Sequence, residues 1–328
     1  MTSLLKSNFD KLEKKHKISF IIVFLNEFKN LEFSFNQVQK LDQLLPDFDY
    51  EIIFVDDGST DGSWEIVKEF AKEHSNVKAI SFTRNFGAIS AVMAGLKVAQ
   101  GDYIVDMAAD GQEPIELFVD LLKCNLENGY EISWGVRRTR NDSFFNKLFS
   151  NIYYRLIKTF AISNFPREGL DAFCMNRRVA KFIIQNYDST SNLHNLTYWA
   201  NFDYGKVYYD RLERTFGESK WSFTKKLNLF INSFVSFTYA PLRLVTIVGG
   251  VFFFVGVIWG SVIIYHSIFH GFEYAGYASL MALLLFGFGV TNLSLGIVSE
   301  YIWRAFEVNK KKPLYIIKET AKKKENAI

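Results

Sequence analysis

The chain has 328 residues, of which 49% are hydrophobic and 17% aromatic, and its formal net charge at pH 7 is +3. This length suffices for one large domain or two modest ones, and so small a net charge gives no reason to expect nucleic acid as a partner. The two cysteines, Cys124 and Cys174, lack metal-ligand spacing, which favours a reducing compartment and packing roles.

The N-terminal segment does not have the pattern of a signal peptide. Residues 1–17 are polar and rich in lysine. The apolar run Ile18–Leu25 is too short for a membrane span and predicts a strand. We therefore expect the domain that follows to stay in the cytoplasm.

Short β-rich runs alternate with amphipathic stretches up to about Tyr209. The predicted strands are Ile18–Phe24, Glu51–Val55, Val77–Phe82, Tyr103–Met107 and Glu131–Gly135. The predicted helices lie near Asn30–Leu45, Ser63–His74, Ala88–Ala99 and Ile115–Asn128. This alternation favours an α/β fold with a mostly parallel sheet and helices on both faces. Ligands of such sheets bind at the carboxyl ends of the strands.

Two long uncharged stretches follow Pro241, at Leu244–Phe269 and Ala275–Ser299. Each is long enough to cross a hydrocarbon core of about 30 Å. The connection between them has no Lys or Arg, whereas basic residues flank the pair: Lys225, Lys226, Arg243, Arg304 and Lys310–Lys312. The positive-inside rule therefore predicts two transmembrane helices with both flanks in the cytoplasm. Two buried helices of a soluble protein are the alternative, which the length and the charge asymmetry disfavour.

The stretch Ser222–Tyr239 before the first span places apolar residues at near-helical spacing. With Lys225 and Lys226 on its polar side, it fits a helix in the membrane interface. A helix packed under the preceding domain fits equally well.

The sequence divides into five predicted parts. They are a polar N-terminal segment at 1–17, an α/β domain at 18–221, a juxtamembrane amphipathic segment at 222–240, a two-helix transmembrane domain at 241–304 and a cytoplasmic basic tail at 305–328. Within the first span, Gly256 and Gly260 have the small-xxx-small spacing that permits close helix approach and hence a homo-oligomer.

Two adjacent carboxylates, Asp56 and Asp57, follow the second predicted strand. Gly58 and Gly62 suit tight turns, and Ser63 suits a helix N-cap. Such a pair of acids at a strand end needs a cation, a ligand rich in hydrogen-bond donors, or solvent. A solvated Asp-Gly turn is the plain alternative.

Four segments at predicted strand ends occur in a fixed order along the chain. They are Val23–Glu27, Val55–Ser59, Thr83–Gly87 and Ala109–Gln112. Further on, Tyr209–Trp221 has the pattern Y-x-R-x-x-R-x-x-G-x-S-K-W. This order resembles the inverting family 2 glycosyltransferases of GT-A fold.

Two further segments resemble one subgroup of that family, the polyprenyl-phosphate glycosyltransferases. They are Pro241–Arg243, before the first span, and Glu300–Arg304 with Pro313, after the second. The subgroup includes bactoprenol glucosyl transferases and the undecaprenyl-phosphate aminoarabinose transferase, and dolichyl-phosphate mannose synthases are related to it. The resemblance implies a Rossmann-like GT-A domain over 18–221, followed by an interfacial helix and two transmembrane helices.

The resemblance also implies a role for each matched residue. Nucleotide-sugar binding is expected at Asn26, Glu27, Asp56, Asp57 and Arg84. A divalent metal on the donor diphosphate, Mg²⁺ or Mn²⁺, is expected at Asp110 and Gln112. Phosphate groups of the donor or the lipid acceptor are expected at Arg137, Ser150, Arg211, Arg214, Ser219 and Lys220. They are also expected at Lys147, which would substitute for a family arginine whose position is Asn146 here. The expected catalytic residues are Asp110 and Asp171, the latter orienting the acceptor or the metal.

The chain departs from the family pattern at the metal motif. The first aspartate of the family's D-x-D segment is Ala108 here, and Glu113 occupies the acidic position after Gln112. Asp106 lies two residues before Ala108, on the same face of an extended strand. Mg²⁺ keeps several waters and needs only one or two carboxylates beside substrate phosphates, so Asp110 can suffice. Basic side chains that pair with phosphate would compensate for the missing acid.

The leading hypothesis is transfer of one sugar from a nucleotide-diphosphate sugar, with UDP-sugars favoured, to polyprenyl (undecaprenyl) phosphate. The acceptor's second pKa is near 6, so its oxygen is largely ionised at neutral pH and needs no strong general base. The product would be a lipid-linked sugar donor for cell-surface glycan modification. The expected location is the bacterial inner membrane, with the catalytic domain and both termini in the cytoplasm. A catalytically inactive membrane scaffold that binds nucleotide-sugar or a partner is the alternative.

Overall fold

A computed structural model of the protein describes residues 16–138, 170–187, 193–212, 240–270, 276–310 and 312–323. Within these ranges eight strands form one sheet, in the order β7-β5-β6-β4-β1-β2-β3-β8. The strands are β1 (Lys17–Phe24), β2 (Asp49–Asp56), β3 (Val77–Phe82), β4 (Tyr103–Ala108), β5 (Ile132–Arg137), β6 (Leu170–Asn176), β7 (Tyr204–Tyr209) and β8 (Ile317–Lys322). The helices are α1 (Leu31–Gln39), α2 (Leu41–Leu44), α3 (Ser63–Glu73), α4 (Ala88–Val98), α5 (Ile115–Asn128), α6 (Arg177–Asn186), α7 (Leu193–Trp199), α8 (Ala240–His270) and α9 (Tyr277–Asn309).

The centre of the sheet is parallel. β4, β1, β2 and β3 pair in parallel, and β7 pairs in parallel with β5. β6 runs antiparallel between β4 and β5, and β8 runs antiparallel on the outer side of β3. The carboxyl ends of β1, β2, β3, β4, β5 and β7 consequently lie along one edge, which we call the site edge.

The sheet has a hydrophobic core on each face because its central strands are apolar at nearly every position. On β1, the side chains of Phe20 and Ile22 enter one core and that of Ile21 enters the other. β2 does the same with Phe54 and Ile53. Each such side chain, fully buried, contributes roughly 1.5–3 kcal/mol, so the strand ends are carried on a well-packed scaffold.

The structure confirms the predicted α/β fold with a mostly parallel sheet. The five predicted strands are present with small shifts in their bounds. The helix predicted over Asn30–Leu45 is interrupted at Lys40, between α1 and α2. The helix predicted to begin with Ser63 as its N-cap instead has Gly62 there, at φ 89°, with Ser63 as its first residue.

The basic tail predicted at 305–328 contains a strand that the sequence analysis did not predict. Residues Ile317–Lys322 form β8, which pairs with β3 from Lys78 to Phe82. Its sequence, IKETAK, has the charged character common in edge strands. Because this segment lacks alternating apolar residues, its sequence does not predict a strand.

Helices α8 and α9 occupy the positions predicted for the two spans, and Phe252 packs on Phe286 with their ring centroids 4.9 Å apart. Many of their apolar side chains are exposed, including those of Phe254, Trp259 and Phe288. In the described part of the chain, however, we find no helix whose length and apolar character together suffice for crossing a bilayer. The two predicted spans are therefore not confirmed, and the juxtamembrane segment at 222–239 lies outside the described residues.

Candidate active site

The two acids after β2 lie under the site edge rather than in solvent. Asp56 accepts hydrogen bonds from the Ser59 amide (2.8 Å) and the Ser81 hydroxyl (2.7 Å). The exposed fractions of Asp56 and Asp57 are only 1% and 3%, so the solvated-turn alternative is wrong. These carboxylates instead connect the ends of β2 and β3.

Asp57 organises the turn that follows β3. Its carboxylate accepts hydrogen bonds from the backbone amides of Phe86 (2.7 Å) and Gly87 (3.0 Å). Burial raises the pKa of Asp57, although both amides oppose this shift. The turn is also close to Gly58, at φ 80°, where a Cβ atom would lie 2.5 Å from the carbonyl carbon of Arg84. A glycine is required here because no side chain fits.

The end of β1 is joined to the same turn system. Asn26, at φ 55°, donates its amide to the Ser59 hydroxyl (2.9 Å), and its side-chain oxygen accepts from the Thr60 amide (2.8 Å). Glu27 accepts from the Asn30 side chain at 2.6 Å. Asn26 and Glu27 therefore lie at the site edge beside the β2 turn, where the sequence placed them.

Arg84 extends from the end of β3 into solvent. Its guanidinium lies 4.2 Å from the centroid of the Phe86 ring and donates to the Asn85 carbonyl at 3.1 Å. A guanidinium on an aromatic face stays weakly hydrated and available for an anion. This placement fits the predicted contact with a nucleotide.

The turn after β4 brings the metal motif to the start of the segment after β7. Asp110 accepts from the Gln112 amide (3.1 Å) and lies 3.3 Å from a terminal nitrogen of Arg211. Gln112 donates its side-chain amide to the Leu212 carbonyl (3.2 Å), and its own carbonyl accepts from the Leu212 amide (2.9 Å). The structure thus joins a predicted metal ligand directly to a predicted phosphate-binding arginine.

Two further acids lie beside this motif. Glu113 turns back so that its carboxylate accepts from the amide of Ala108 at 3.0 Å. Burial raises the pKa of Glu113 to about 8, and the nearby charges of Asp106, Asp110 and Asp171 add to the rise. Burial alone raises the pKa of Asp106 to about 7. Ala108, the position that lacks the family's first aspartate, is therefore bonded through its amide to a carboxyl group from another position.

Asp171, on β6, is held by residues at the ends of β5 and β7. Arg137 at the end of β5 forms a two-pronged ion pair with it through Nε and a terminal nitrogen, the latter at 2.7 Å. The Tyr209 hydroxyl donates to it at 3.1 Å, and burial raises the pKa of Tyr209. Arg137, predicted to bind phosphate, is thus already paired with a carboxylate. The role of Tyr209 was missed, although it opens the segment on which the resemblance rests.

The described candidate residues all come together at the site edge, from the ends of six strands and from β6. The predicted phosphate-binding residues Lys147, Ser150, Arg214, Ser219 and Lys220 lie outside the described residues. Among the residues that are described, no three acidic, histidine or cysteine side chains are arranged to hold a metal ion together. Asp110 and Gln112 still offer oxygen atoms of the kind Mg²⁺ and Mn²⁺ prefer, and a diphosphate and waters can complete such a shell.

Comparison with known families identifies the chain. Residues 19–194 match the family model described as glycosyl transferase family 2. Residues 240–305 match a second model, described as the GtrB C-terminal hairpin. The chain belongs to glycosyl transferase family 2. The resemblance read from the strand-end segments is confirmed, and the protein is a glycosyltransferase.

Similar proteins cover nearly all of this glycosyltransferase. A prophage bactoprenol glucosyl transferase homolog of Escherichia coli (strain K12) is 31% identical over 93% of this chain and 100% of its own. The undecaprenyl-phosphate 4-deoxy-4-formamido-L-arabinose transferase of Proteus mirabilis (strain HI4320) is 31% identical over 93% of this chain and 94% of its own. The mannosyltransferase PcManGT of Pyrobaculum calidifontis, solved with GDP-Man and Mn²⁺, matches 71% of this chain and 63% of its own at 16% identity and a TM-score of 0.47. That last likeness is too distant to carry a conclusion about ligands.

Proposed function

We propose that this glycosyltransferase transfers a single sugar from a nucleotide-diphosphate sugar to polyprenyl (undecaprenyl) phosphate with inversion. A UDP-sugar such as UDP-glucose is the proposed donor. The observation that carries the proposal is the contact of Asp110 with Arg211 at the site edge. It places a carboxylate that suits a metal next to a guanidinium that suits phosphate. The names of the two bacterial relatives, which specify bactoprenol and undecaprenyl phosphate, support the choice of acceptor.

The nucleotide of the donor binds over the ends of β1, β2 and β3. Asp57 fixes the turn at Phe86 and Gly87, and that turn positions Arg84. Asn26 and Glu27 line the neighbouring loop. In this arrangement Asp57 acts mainly on the shape of the pocket, and the exposed Arg84 contacts the negatively charged donor.

The diphosphate leaves from the β4 side of the site edge. Asp110 and Gln112 would hold Mg²⁺ or Mn²⁺, which offsets charge on a departing diphosphate when bound. Arg211 pairs with Asp110 without donor and turns to the phosphate when the donor arrives. The chain has Ala108 in place of the motif's first acid, and this basic side chain beside Asp110 supplies part of the charge stabilisation that a weakly held metal would leave missing.

The acceptor phosphate is the nucleophile. One of its oxygens forms a bond to the anomeric carbon while the bond from that carbon to the donor phosphate breaks, on opposite sides, and configuration inverts. The oxygen is already ionised at neutral pH, so no side chain has to remove a proton. Asp171, held by Arg137 and Tyr209, orients the part of the site that receives the acceptor phosphate.

We also propose that α8 and α9 hold the enzyme at the cytoplasmic face of the bacterial inner membrane as two spans. The two uncharged stretches and the basic residues around them support this placement. The exposed apolar side chains of both helices would contact lipid there. A polyprenyl acceptor is confined to the same membrane, so its phosphate would meet the site at the surface.

Radiolabelled sugar transfer tests the proposal. The purified full-length protein is incubated in lipid vesicles with undecaprenyl phosphate and a panel of labelled nucleotide-sugars. We expect labelled lipid with one or a few donors, UDP-sugars among them. Donor binding by calorimetry with no labelled lipid from any donor would favour the inactive scaffold instead.

A further inference from the structure

Both connections to the helix pair formed by α8 and α9, which we call the hairpin, are made at the site edge. β7 is parallel to β5, so it ends at that edge, where Tyr209 pairs with Arg137. β8 is antiparallel to β3, so it begins at that edge, where Ile317 pairs with Phe82. β7 and β8 are the outermost strands. The chain therefore leaves for the hairpin at one corner of the site edge and returns at the opposite corner.

The departing corner belongs to the site itself. Leu212, the last described residue before the hairpin, is bonded through its amide and its carbonyl to Gln112. Arg211, next to it, lies against Asp110. A movement of this connection would therefore be transmitted directly to Asp110 and Gln112, the proposed metal ligands.

The returning corner is held by the segment Leu314–Lys323, which we call the C-terminal clasp. The Ile316 carbonyl accepts from the Thr83 amide at 3.0 Å. The ring of Tyr315 stacks on Phe82 with centroids 4.8 Å apart and lies 5.2 Å from the ammonium of Lys97. The clasp thus enters the sheet directly beside the turn that carries Arg84.

Residues of α3 hold the clasp from the other face of the sheet. Glu319 accepts from the indole nitrogen of Trp64 at 2.8 Å and lies 3.5 Å from Lys68. Lys323 donates to the carbonyl of Glu73 at 2.9 Å. Contacts on both faces and a full strand pairing make the clasp an integral part of the domain.

We propose that the C-terminal clasp is a positioning element for the lipid acceptor. By fixing the hairpin at the second corner, it holds the membrane-facing part of the enzyme over the site edge. A hairpin attached at one corner alone could swing, whereas attachment at both corners restricts it to orientations that face the site. This inference rests on the proposed transfer to a polyprenyl phosphate.

The physical basis is the entropy that is lost when the lipid acceptor is oriented relative to the site. Holding a reactant near its productive geometry removes much of the cost of bringing two groups together. A second tether raises the effective concentration of a linked partner, and lengthening the tether lowers it. Loosening the clasp should therefore weaken use of an acceptor presented by the membrane without changing how the donor binds.

The experiment loosens the link and then severs it. In full-length protein, a flexible Gly-Ser linker with a protease site is inserted between Lys312 and Pro313. The matched control carries the same insertion at the exposed turn residue Asn201, between α7 and β7. Each is assayed before and after proteolysis in vesicles with undecaprenyl phosphate, in detergent with a short water-soluble isoprenyl phosphate, and by calorimetry with the nucleotide diphosphate.

We expect transfer to the membrane acceptor to fall about tenfold after cleavage at 312–313, and less with the uncut linker. Transfer to the soluble acceptor and nucleotide affinity should stay within about twofold, because the clasp remains paired with β3. Equal loss with both acceptors, or no loss with either, would overturn the proposal. Loss of nucleotide affinity would also overturn it, since the clasp would then act as part of the donor site. An uninserted enzyme that uses neither acceptor would refute the proposed function, an outcome separate from these.

Discussion

The two halves of the site edge are built differently. On the β2 and β3 side, the carboxylates of Asp56 and Asp57 are buried and bonded to hydroxyl and backbone amide groups. On the β4 and β7 side, Asp110 accepts from the Gln112 amide and also meets the side chain of Arg211. Backbone amides cannot leave a carboxylate without unfolding the turn, whereas a guanidinium can move to another anion. The first half is therefore a fixed frame for the donor, and the second half can rearrange around the leaving diphosphate.

The largest expected effect falls on the half that rearranges. Asp110→Ala should lower the transfer rate about a thousandfold, because it removes charge stabilisation from the departing diphosphate. Its Tm should fall only slightly, since the partners lost are a half-exposed arginine and the turn amide of Gln112. Initial rates with labelled donor and thermal unfolding in detergent measure both. Asp120→Ala, at an exposed acid on α5, is the control, and full turnover in Asp110→Ala would remove Asp110 from the reaction.

On the β2 and β3 side, adding a single methyl group at Gly58 should lower the free energy of unfolding. Gly58→Ala forces a residue with a Cβ into φ 80° and within 2.5 Å of the Arg84 carbonyl carbon, so we expect about 3 kcal/mol of destabilisation. Gly129→Ala is matched to it because its φ is 72° but its Cβ would meet open space. That control should lose only about 1 kcal/mol from strain. Chemical unfolding compares the two, and equal losses would mean that the backbone at Arg84 moves aside freely.

Removing the carboxylate of Asp57 should disturb the turn after β3, which carries Arg84. Asp57→Ala leaves the partly buried amides of Phe86 and Gly87 without their acceptor, which costs about 2 kcal/mol of unfolding free energy. Donor affinity should fall with it, because the turn carries Arg84. Asp57→Asn keeps one oxygen as acceptor and should lose less of both. If Asp57→Ala weakens donor binding with unchanged stability, direct contact with the nucleotide is the better explanation.

The last prediction concerns pH and the buried acid Glu113 on the β4 and β7 side. Glu113 has a pKa of about 8 in the folded enzyme, above its ordinary value near 4.5, so the folded state binds more protons between these values. The free energy of unfolding should therefore fall as pH rises through this window, by at most about 1.4 kcal/mol per pH unit for this group. Glu113→Gln should flatten the fall. Tm measured in chelator between about pH 5 and about pH 8 tests this, and an unchanged slope in the variant would assign the fall to other groups, Asp106 first.

The strands and the strand-end residues that depend on local sequence pattern could be predicted from the sequence. Apolar runs predicted β1 to β5, and the rule that parallel strands end at one edge placed Asp57, Arg84 and Asp110 together. Hydrogen bonds between different segments of the chain could not be predicted in this way. The Asp57 carboxylate reaches amides about thirty residues away because β2 and β3 are neighbours in space. The return of Glu113 to Ala108 depends on the shape of one turn.

The same limit explains the missed eighth strand. IKETAK has no apolar alternation, and it forms a strand because β3 offers an unpaired edge and Trp64 offers a partner for Glu319. Interactions of this kind depend on residues far away along the chain. Only the folded arrangement of β3 and α3 shows why Ile317–Lys322 is ordered.

The charged strand β8 has one more consequence, for solubility. Without it, β3 would present a row of open backbone donors and acceptors to other molecules, and such edges invite intermolecular sheet formation. The lysines of β8 turn that outer border into a poor template. Versions of the enzyme shortened at the C-terminus should accordingly aggregate during purification even where their chemistry is intact.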